Sequence, residues 1–332
     1  MTRTTDQPIP ESSGVAVIIP AFNSASHLDQ ALASVAGQTV LPAAVVIADD
    51  CSTDDTIDRA RRWQDRLPLE VVRLQQNRGP GVARHRAIGA STAPLLAMLD
   101  ADDLFLPDHI ETMVATHDAR PGLVSAQELS WHPGGGLAMP AQRVRTEPNT
   151  LAALLRRNFV NFGFFSRSLY EMVGGFRDQY CEDWDLWIRM VRTGASLTMA
   201  SHPTAIHRVH AASRSFDAAR TAQRSTMVLN AELRNARSPA EVAAVRAGLR
   251  AVRGKLSFYR GMDLAARGSA RQARRAALAG LPGEGPRAAA GLLALALAPS
   301  AAVWLEQRTR ARRLPIGAFA PTTGISRATT RQ

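Results

Sequence analysis

Residues 15–20, Val-Ala-Val-Ile-Ile-Pro, form an apolar, β-branched run with no polar interruption. Such a run suits a strand buried on both faces. A polar turn follows at Asn23–Ser26, and Leu28, Leu32 and Val35 then recur at helical spacing. Val45–Ala48 predicts the next strand, ending at Asp49-Asp50, with Ser52 or Thr53 as cap for a helix from near Asp54 to about Arg66. Leu69–Leu74 reads as strand three, Gly79–Ala90 as a glycine-rich turn and helix, and Leu95–Leu99 as strand four, ending at Asp100. Strands and helices alternating at this pace predict a parallel α/β sheet with helices on both faces. Ligands of such sheets bind outside the carboxyl ends of the strands. The acidic clusters Asp49-Asp50 and Asp100–Asp103 are therefore expected to face one crevice.

The pattern then loosens. Leu123–Leu129 predicts a strand, His132–Pro140 a loop, Thr150–Arg156 a short helix and Phe159–Phe165 an aromatic, strand-like run. Glu182–Val191 predicts a helix with Trp184, Trp187, Ile188 and Val191 at core spacing, and Ser196–Ala200 a last strand. Beyond about Ser215 the chain turns Ala/Arg-rich, with helices expected at 217–236, 239–264, 268–280, 286–297 and 299–313. The domain reading is a loose leader at 1–14, a catalytic α/β unit at 15–215, a helical region at 216–313 and a frayed tail at 314–332. The uncharged run from Ala288 to Leu305 is broken by Pro299 and rich in alanine, so a buried or interfacial helix pair is expected rather than a span.

Charge divides the chain in the same place. Residues 1–215 hold 20 basic and 23 acidic residues, whereas residues 216–332 hold 20 basic and 6 acidic. The mildly acidic first region argues against nucleic acid as a partner, and the basic second region can face an anionic membrane. Solvated arginine-rich helix surfaces are the plainer reading of the same charge. No secretory signal opens the sequence, so a cytoplasmic location is expected, with peripheral contact to the inner face of the cell membrane through the basic tail. Two cysteines, Cys51 and Cys181, exclude a disulfide scaffold, a zinc ribbon and an iron–sulfur protein.

The chemistry lies in the acidic clusters. In Asp100-Ala101-Asp102 two carboxylates fall on one side of an extended segment. Hard oxygen ligands of that kind suit Mn²⁺ or Mg²⁺ shared with phosphate oxygens. A carboxylate at the end of strand two can accept the N3–H of a uracil-like base, and Glu182-Asp183 forms a third acidic site.

Three segments carry a resemblance: Val-Ala-Val-Ile-Ile-Pro-Ala-Phe-Asn at 15–23 with Val-Val-Ile-Ala-Asp-Asp at 45–50, Met-Leu-Asp-Ala-Asp-Asp at 98–103, and Gly-Gly-Phe-Arg at 174–177 with Glu-Asp-Trp-Asp at 182–185. In that order they resemble family 2 glycosyltransferases of GT-A fold, over about residues 15–210. The resemblance implies a Rossmann-like, mostly parallel sheet, followed here by an α-helical region. It implies an inverting transfer from a nucleotide-diphospho-sugar donor to a sugar or lipid-linked acceptor in cell-surface polysaccharide or glycoconjugate synthesis.

It also assigns roles. Asp102 contacts the metal, Asp100 the donor's ribose or sugar, and Asp103 stands in reserve. Asp50 takes the base, with Asp49 beside it and Pro20 and Phe22 lining its pocket; Arg84 reaches the donor, with a surface arginine as the other reading. Asp183 is the general base, with Glu182 beside it, and His207 or His210 approaches the metal or diphosphate unless both are loop histidines. His85 departs from the asparagine usual in relatives. The competing readings are a nucleotidyltransferase, which would want a glycine-rich basic turn after strand one, and a non-catalytic carbohydrate-binding relative, which would be expected to lose Asp102 or Asp183.

Overall fold

A computed structural model describes residues 13–132, 136–138, 150–177, 181–209, 218–281 and 286–302. In chain order the elements of the first half are β1 (Val15–Ala21), α1 (Leu28–Ala36), β2 (Ala44–Asp49), α2 (Thr56–Arg61), β3 (Leu69–Arg73), α3 (Pro80–Ala90) and β4 (Leu95–Met98). Then come β5 (Leu104–Phe105), α4 (His109–Ala119), β6 (Gly122–His132), β7 (Gly136–Ala138), α5 (Leu151–Leu154), β8 (Phe164–Ser166), α6 (Arg167–Met172), α7 (Glu182–Arg192) and β9 (Ser196–Arg208). Four helices close the described chain: α8 (Ala218–Asn235), α9 (Pro239–Ala266), α10 (Ala270–Gly280) and α11 (Pro286–Leu297).

One sheet runs β3-β2-β1-β4-β8-β6-β9-β5, with β7 paired to β6. The first four strands are parallel, as the alternation of elements predicts. Beyond β4 the sheet is mixed: β8 is antiparallel to β4 and β6, β6 runs parallel to β9, and β5 and β7 pair antiparallel. The chain leaves β1 toward β2 on one side and returns to β4 on the other. That reversal opens a crevice at the carboxyl end of β1, between the ends of β2 and β4.

Alternation along β1 sorts the core onto two faces. Val15, Val17 and Ile19 pack with Leu28, Leu32 and Val35 of α1 and with Ile110 and Met113 of α4. Ala16 and Ile18 pack on the other face with Ala83 and Ala87 of α3 and, through the same cluster, Trp184 and Trp187 of α7. That second cluster continues into Val228 and Leu229 of α8 and Val245 and Val252 of α9. The first two C-terminal helices therefore complete the core of the α/β unit. Arg192 ties them down through Glu232 at 2.6 Å and Glu241 at 3.1 Å. Gly248 of α9 lies where a Cβ would come within 2.7 Å of the Arg156 carbonyl, so only glycine allows this approach. Ser238 caps α9 by accepting from the Glu241 N–H, with Pro239 opening the helix. α10 and α11 form a smaller cluster, with Ala277, Leu292 and Leu295 packed by Phe258 and Met262 of α9.

Several local expectations change. α2 ends at Arg61 rather than near Arg66, and neither Ser52 nor Thr53 caps it: the Ser52 hydroxyl accepts from the Asn23 N–H instead. Of the aromatic run 159–165 only its last two residues enter a strand. The last strand extends from Ser196 to Arg208, well past Ala200, because β6 continues beside it. The leader to residue 12, most of the loop 133–149, His210 and the stretch from 303 onward lie outside the described residues. No helix among the described residues is long and apolar enough to cross a membrane.

Candidate active site

The loops after β1 and β2 are laced together. Asn23, in the left-handed conformation, accepts through Oδ1 from the Thr53 N–H at 2.9 Å, and the Ser24 N–H donates to the Thr56 hydroxyl at 2.7 Å. This lacing sets Phe22, about half exposed, beside the end of β2. Pro20, half-buried, is the penultimate residue of β1. Asp49 is wholly buried and accepts from the Ser52 N–H at 3.2 Å, with Arg73 at 3.7 Å. Asp50 accepts the N–H of Arg78 at 2.8 Å and of Gly79 at 2.7 Å, holding the loop that leads into α3. Its carboxylate keeps further lone pairs.

The metal candidates lie together. Asp100, Asp102 and Asp103 offer carboxylate oxygens within 4.8 Å of one another. Three hard oxygen donors at that spacing fit a small divalent cation. Asp103 accepts from the Arg208 N–H at 2.8 Å and bonds His207 Nδ1 at 3.2 Å. Burial pushes its carboxyl up to about 6, with Asp100 and Asp102 adding to the rise and His207 opposing it. Burial works against the charge on His207, but Asp103, Glu128 and Asp100 outweigh it and raise the imidazole to about 9. His207 is not on a loop. It sits inside β9, paired with Ser130 of β6, and so faces the acidic trio from the sheet.

Arg84 joins the second and third acidic clusters. It is buried on α3 and donates to Asp100 at 2.5 Å and to Glu182 at 2.8 Å. Burial opposes its charge, yet Asp100, Glu182 and Asp183 more than offset that and raise the guanidinium. The surface-arginine reading is thereby excluded. Gly81, one turn earlier, leaves room for Glu182: a Cβ there would come within 2.8 Å of the Glu182 side chain. His85 points away from the cleft to the Tyr170 hydroxyl at 2.8 Å.

α7 begins at Cys181, whose φ of 55° is left-handed, and carries Glu182, Asp183 and Asp185 in its first turn, where the helix dipole favours anions. Cys51, next to Asp50, is the other cysteine at positive φ. Strain of this kind costs about 1–3 kcal/mol and collects at functional sites. Asp183 accepts from the Asn158 amide at 3.0 Å. Asp185 turns away to Arg189 and Arg177. Trp184 is core, with its indole N–H on the Leu154 carbonyl; Trp187 is core too, but its edge reaches the cleft. That cleft, of about 130 Å³, is lined by Arg84, Asp100, Asp103, Asp183 and His207 among others, so two of the three metal candidates share a cavity with the base candidate.

Residues 16–191, more than half of the chain, match the model of the family described as Glycosyl transferase family 2. The chain belongs to that family. Among curated relatives, the succinoglycan biosynthesis protein ExoO of Rhizobium meliloti (strain 1021) is 31% identical over 159 residues, 45% of this chain and 45% of that one. A validoxylamine A glucosyltransferase of Streptomyces hygroscopicus subsp. limoneus is 40% identical over 107 residues, 31% of this chain and 23% of its own. These matches span less than half the length of either relative. Among solved structures, S. aureus TarS 1-349 in complex with UDP-GlcNAc aligns with a TM-score of 0.59 at 18% identity, covering 89% of this chain and 90% of that one. Mannosyltransferase PcManGT from Pyrobaculum calidifontis, in complex with GDP-Man and Mn²⁺, aligns at 0.60 and 22%, covering 89% and 84%. At such identity the likeness concerns the fold, which is of GT-A type.

Three residues in or beside the cleft escaped the motifs of the family. Arg208 donates to the Asp102 carbonyl at 2.9 Å and to Gln30 at 2.6 Å, and its guanidinium lies 4.5 Å over the Trp131 ring. Asn158 is the partner of Asp183. Glu128, on β6, lines the cleft, and burial together with Asp103 pushes its carboxyl up to about 7. The one available signal was that it is the single charged residue of the strand run Leu123–Leu129.

Proposed function

We propose that the protein is an inverting glycosyltransferase that moves a sugar from a nucleotide-diphospho-sugar to an acceptor hydroxyl in cell-surface polysaccharide synthesis. The observation that carries this reading is the cleft that Asp100 and Asp103 share with Asp183, with the Asp102 carboxylate grouped with Asp100 and Asp103 within 4.8 Å. The relatives named for succinoglycan biosynthesis and the neighbours bound to UDP-GlcNAc and GDP-Man support the substrate classes.

In this reading Asp50 takes the base, with Pro20 and Phe22 beside it, and Asp100 the ribose or sugar. Asp102 would be the chief ligand of Mn²⁺ or Mg²⁺, with Asp103 and His207 behind it. A bound divalent ion would supply charge neutralisation for the departing diphosphate. Asp183 accepts the proton of the acceptor hydroxyl as its oxygen attacks the anomeric carbon. The anomeric carbon–phosphate oxygen bond breaks on the opposite face, so configuration inverts. Asn158 fixes the carboxylate, and Arg84 keeps Glu182, and with it the start of α7, against Asp100.

The acceptor is a sugar or lipid-linked glycan, and peripheral contact with an anionic membrane belongs to the same proposal. Arg271, Arg274 and Arg275 are exposed at helical spacing on α10, and Leu278, Leu293 and Leu297 are exposed on α10 and α11. Flotation with anionic vesicles at low and high salt tests that contact, comparing the wild type with Arg271→Glu, Arg274→Glu and Arg275→Glu combined; equal flotation would reject it. The enzymatic reading is tested with a panel of UDP-, GDP- and dTDP-sugars, with Mn²⁺ and with excess EDTA. Transfer that survives EDTA would remove the metal from the proposal, and no turnover of any donor would remove the activity.

A further inference from the structure

The carboxylates of the cleft are spoken for, with one exception. Asp100 and Glu182 hold Arg84, Asp183 accepts from Asn158, and Asp103 accepts from Arg208 and His207. Glu128 lines the same cleft, half-buried, and no donor among the described residues bonds its carboxylate. Withdrawing a carboxylate from water without a donor is costly. An enclosed acceptor of this kind matches a ligand that brings its own O–H or N–H groups.

The backbone aims Glu128 into the cleft. β6 and β9 pair in even register from Gly122 with Ser196 to Ser125 with Met199. Gln127 then stands opposite Pro203 and Glu128 opposite Ala205, so β9 bulges against β6 at this point. Bulges bend a ladder and re-aim side chains, often beside active sites. The Gln127 amide pins the bulge by donating to the Ala200 carbonyl at 2.6 Å. Val124 and Ala126, on the same face of β6, lie in the core, whereas Glu128, next on that face, emerges into the cleft. Asp103 and His207 are its charged neighbours, and the same cleft adds apolar surface from Val160, Phe162 and Trp187 and an amide from Asn161. Apolar walls interrupted by carboxylates and an amide suit a ring that has C–H faces and an equatorial rim of hydroxyls.

We propose that the Glu128 carboxylate accepts hydrogen bonds from hydroxyl groups of a sugar ring seated in this cleft, whether the donor's glycosyl group or the acceptor's terminal ring. The subsite rests on the glycosyltransferase reading and names a sugar contact that the acidic motifs do not contain.

The test compares wild type with Glu128→Gln, which keeps the shape, and Glu128→Ala. Three quantities are read: affinity for UDP and GDP with Mn²⁺ by calorimetry, hydrolysis of the active sugar nucleotide by water, and transfer to p-nitrophenyl glycosides. Nucleoside diphosphate affinity is expected to stay within about twofold, while the sugar-dependent step falls roughly 10- to 100-fold, the worth of a hydrogen bond to a charged group. A loss already present in hydrolysis assigns the donor's sugar; a loss confined to transfer assigns the acceptor's. Hydrolysis and transfer both near wild type would overturn the subsite, and so would a loss of nucleoside diphosphate affinity, which would mean a role at the metal. If Glu128→Ala melts early, Glu128→Asp, which withdraws the charge by one methylene, carries the same comparison. A wild type inert toward every donor sinks the glycosyltransferase reading instead. Methyl glycosides that shift the NMR spectra of wild type and Glu128→Gln equally would then overturn the subsite alone.

Discussion

The two halves of the sheet hold their acids in different ways. In the parallel half, β3-β2-β1-β4, Asp49 and Asp50 accept chiefly from backbone N–H groups of nearby loops, at Ser52, Arg78 and Gly79, although Asp49 Oδ1 is buried without a hydrogen-bond partner among the described residues. At the end of β4 and beyond it, the acids are held largely by side chains from distant elements: Asp100 and Glu182 by Arg84, Asp183 by Asn158, and Asp103 by His207 as well as by the Arg208 N–H. Backbone donors arrive with the local turn and tolerate most side chains around them. Side-chain partners have to be brought together by the fold, and each holds only while its partner is present. The parallel half is thus the sturdier platform, and the mixed half is where charge and proton transfer can be tuned.

The sharpest break in that comparison is at Asp183. Asp183→Asn is expected to keep the fold and nucleotide affinity while turnover falls by roughly 10²-fold or more, the scale of losing a general base. Steady-state kinetics beside nucleotide titration check it; normal turnover would move the base to Glu182 or a histidine.

Next comes Arg84 set against Asp50. Arg84→Met removes the Arg84 side of its ion pair with buried Glu182, and breaking such a pair costs about 3–5 kcal/mol. Because Asp100 is about 41% exposed on its side chain, solvent screens that arm and the lower end is expected. Asp50→Asn still offers one acceptor oxygen to the two backbone donors, so its cost should be nearer 1–2 kcal/mol. Denaturant midpoints of the two variants should differ in that order, and the reverse order would refute the contrast drawn between the halves.

A third expectation concerns pH. His109 is wholly buried between α4 and β9, stacked on Phe105 with ring centroids 3.6 Å apart and bonded through Nδ1 to Thr204. Burial lowers its imidazole to about 3, with Thr204 and Asp108 opposing the fall. The folded chain therefore refuses a proton that the unfolded chain takes below about pH 6.5. Stability present above that pH is lost as pH falls toward 3, by up to about 1.4 kcal/mol per unit. His109→Phe should flatten this part of the profile relative to wild type, read as the difference between the two curves of unfolding free energy against pH.

The smallest effect is expected outside both halves. Arg271→Glu, Arg274→Glu and Arg275→Glu lie on an exposed face of α10, and each should shift stability by less than about 0.5 kcal/mol. A larger loss in thermal melting would mean that this face packs on something other than solvent.

Much of the molecule was legible as pattern. The β-branched runs at 15–20 and 45–48, the helical spacing of Leu28, Leu32 and Val35, and the four C-terminal helices within two or three residues of their ends all follow from local preference and periodicity. So do the positions of Asp50, Asp100 and Asp102 at strand ends, because a strand's carboxyl end in a parallel sheet is where the crevice must lie. Those signals are short-range: an apolar run is buried wherever it is placed.

Tertiary structure alone decided the rest. Arg84 reads as a surface arginine or a donor contact until α3 is packed against both β4 and α7, since its partners lie 16 and 98 residues away. His207 reads as a loop residue until β6 extends the ladder beside it. Glu128 reads as the charged member of a strand until a bulge in β9 turns its face out of the core and into the cleft. In each case the deciding energy is a pairing or a desolvation between residues far apart in the chain. No window of local sequence contains that term, because it exists only once the two elements have met.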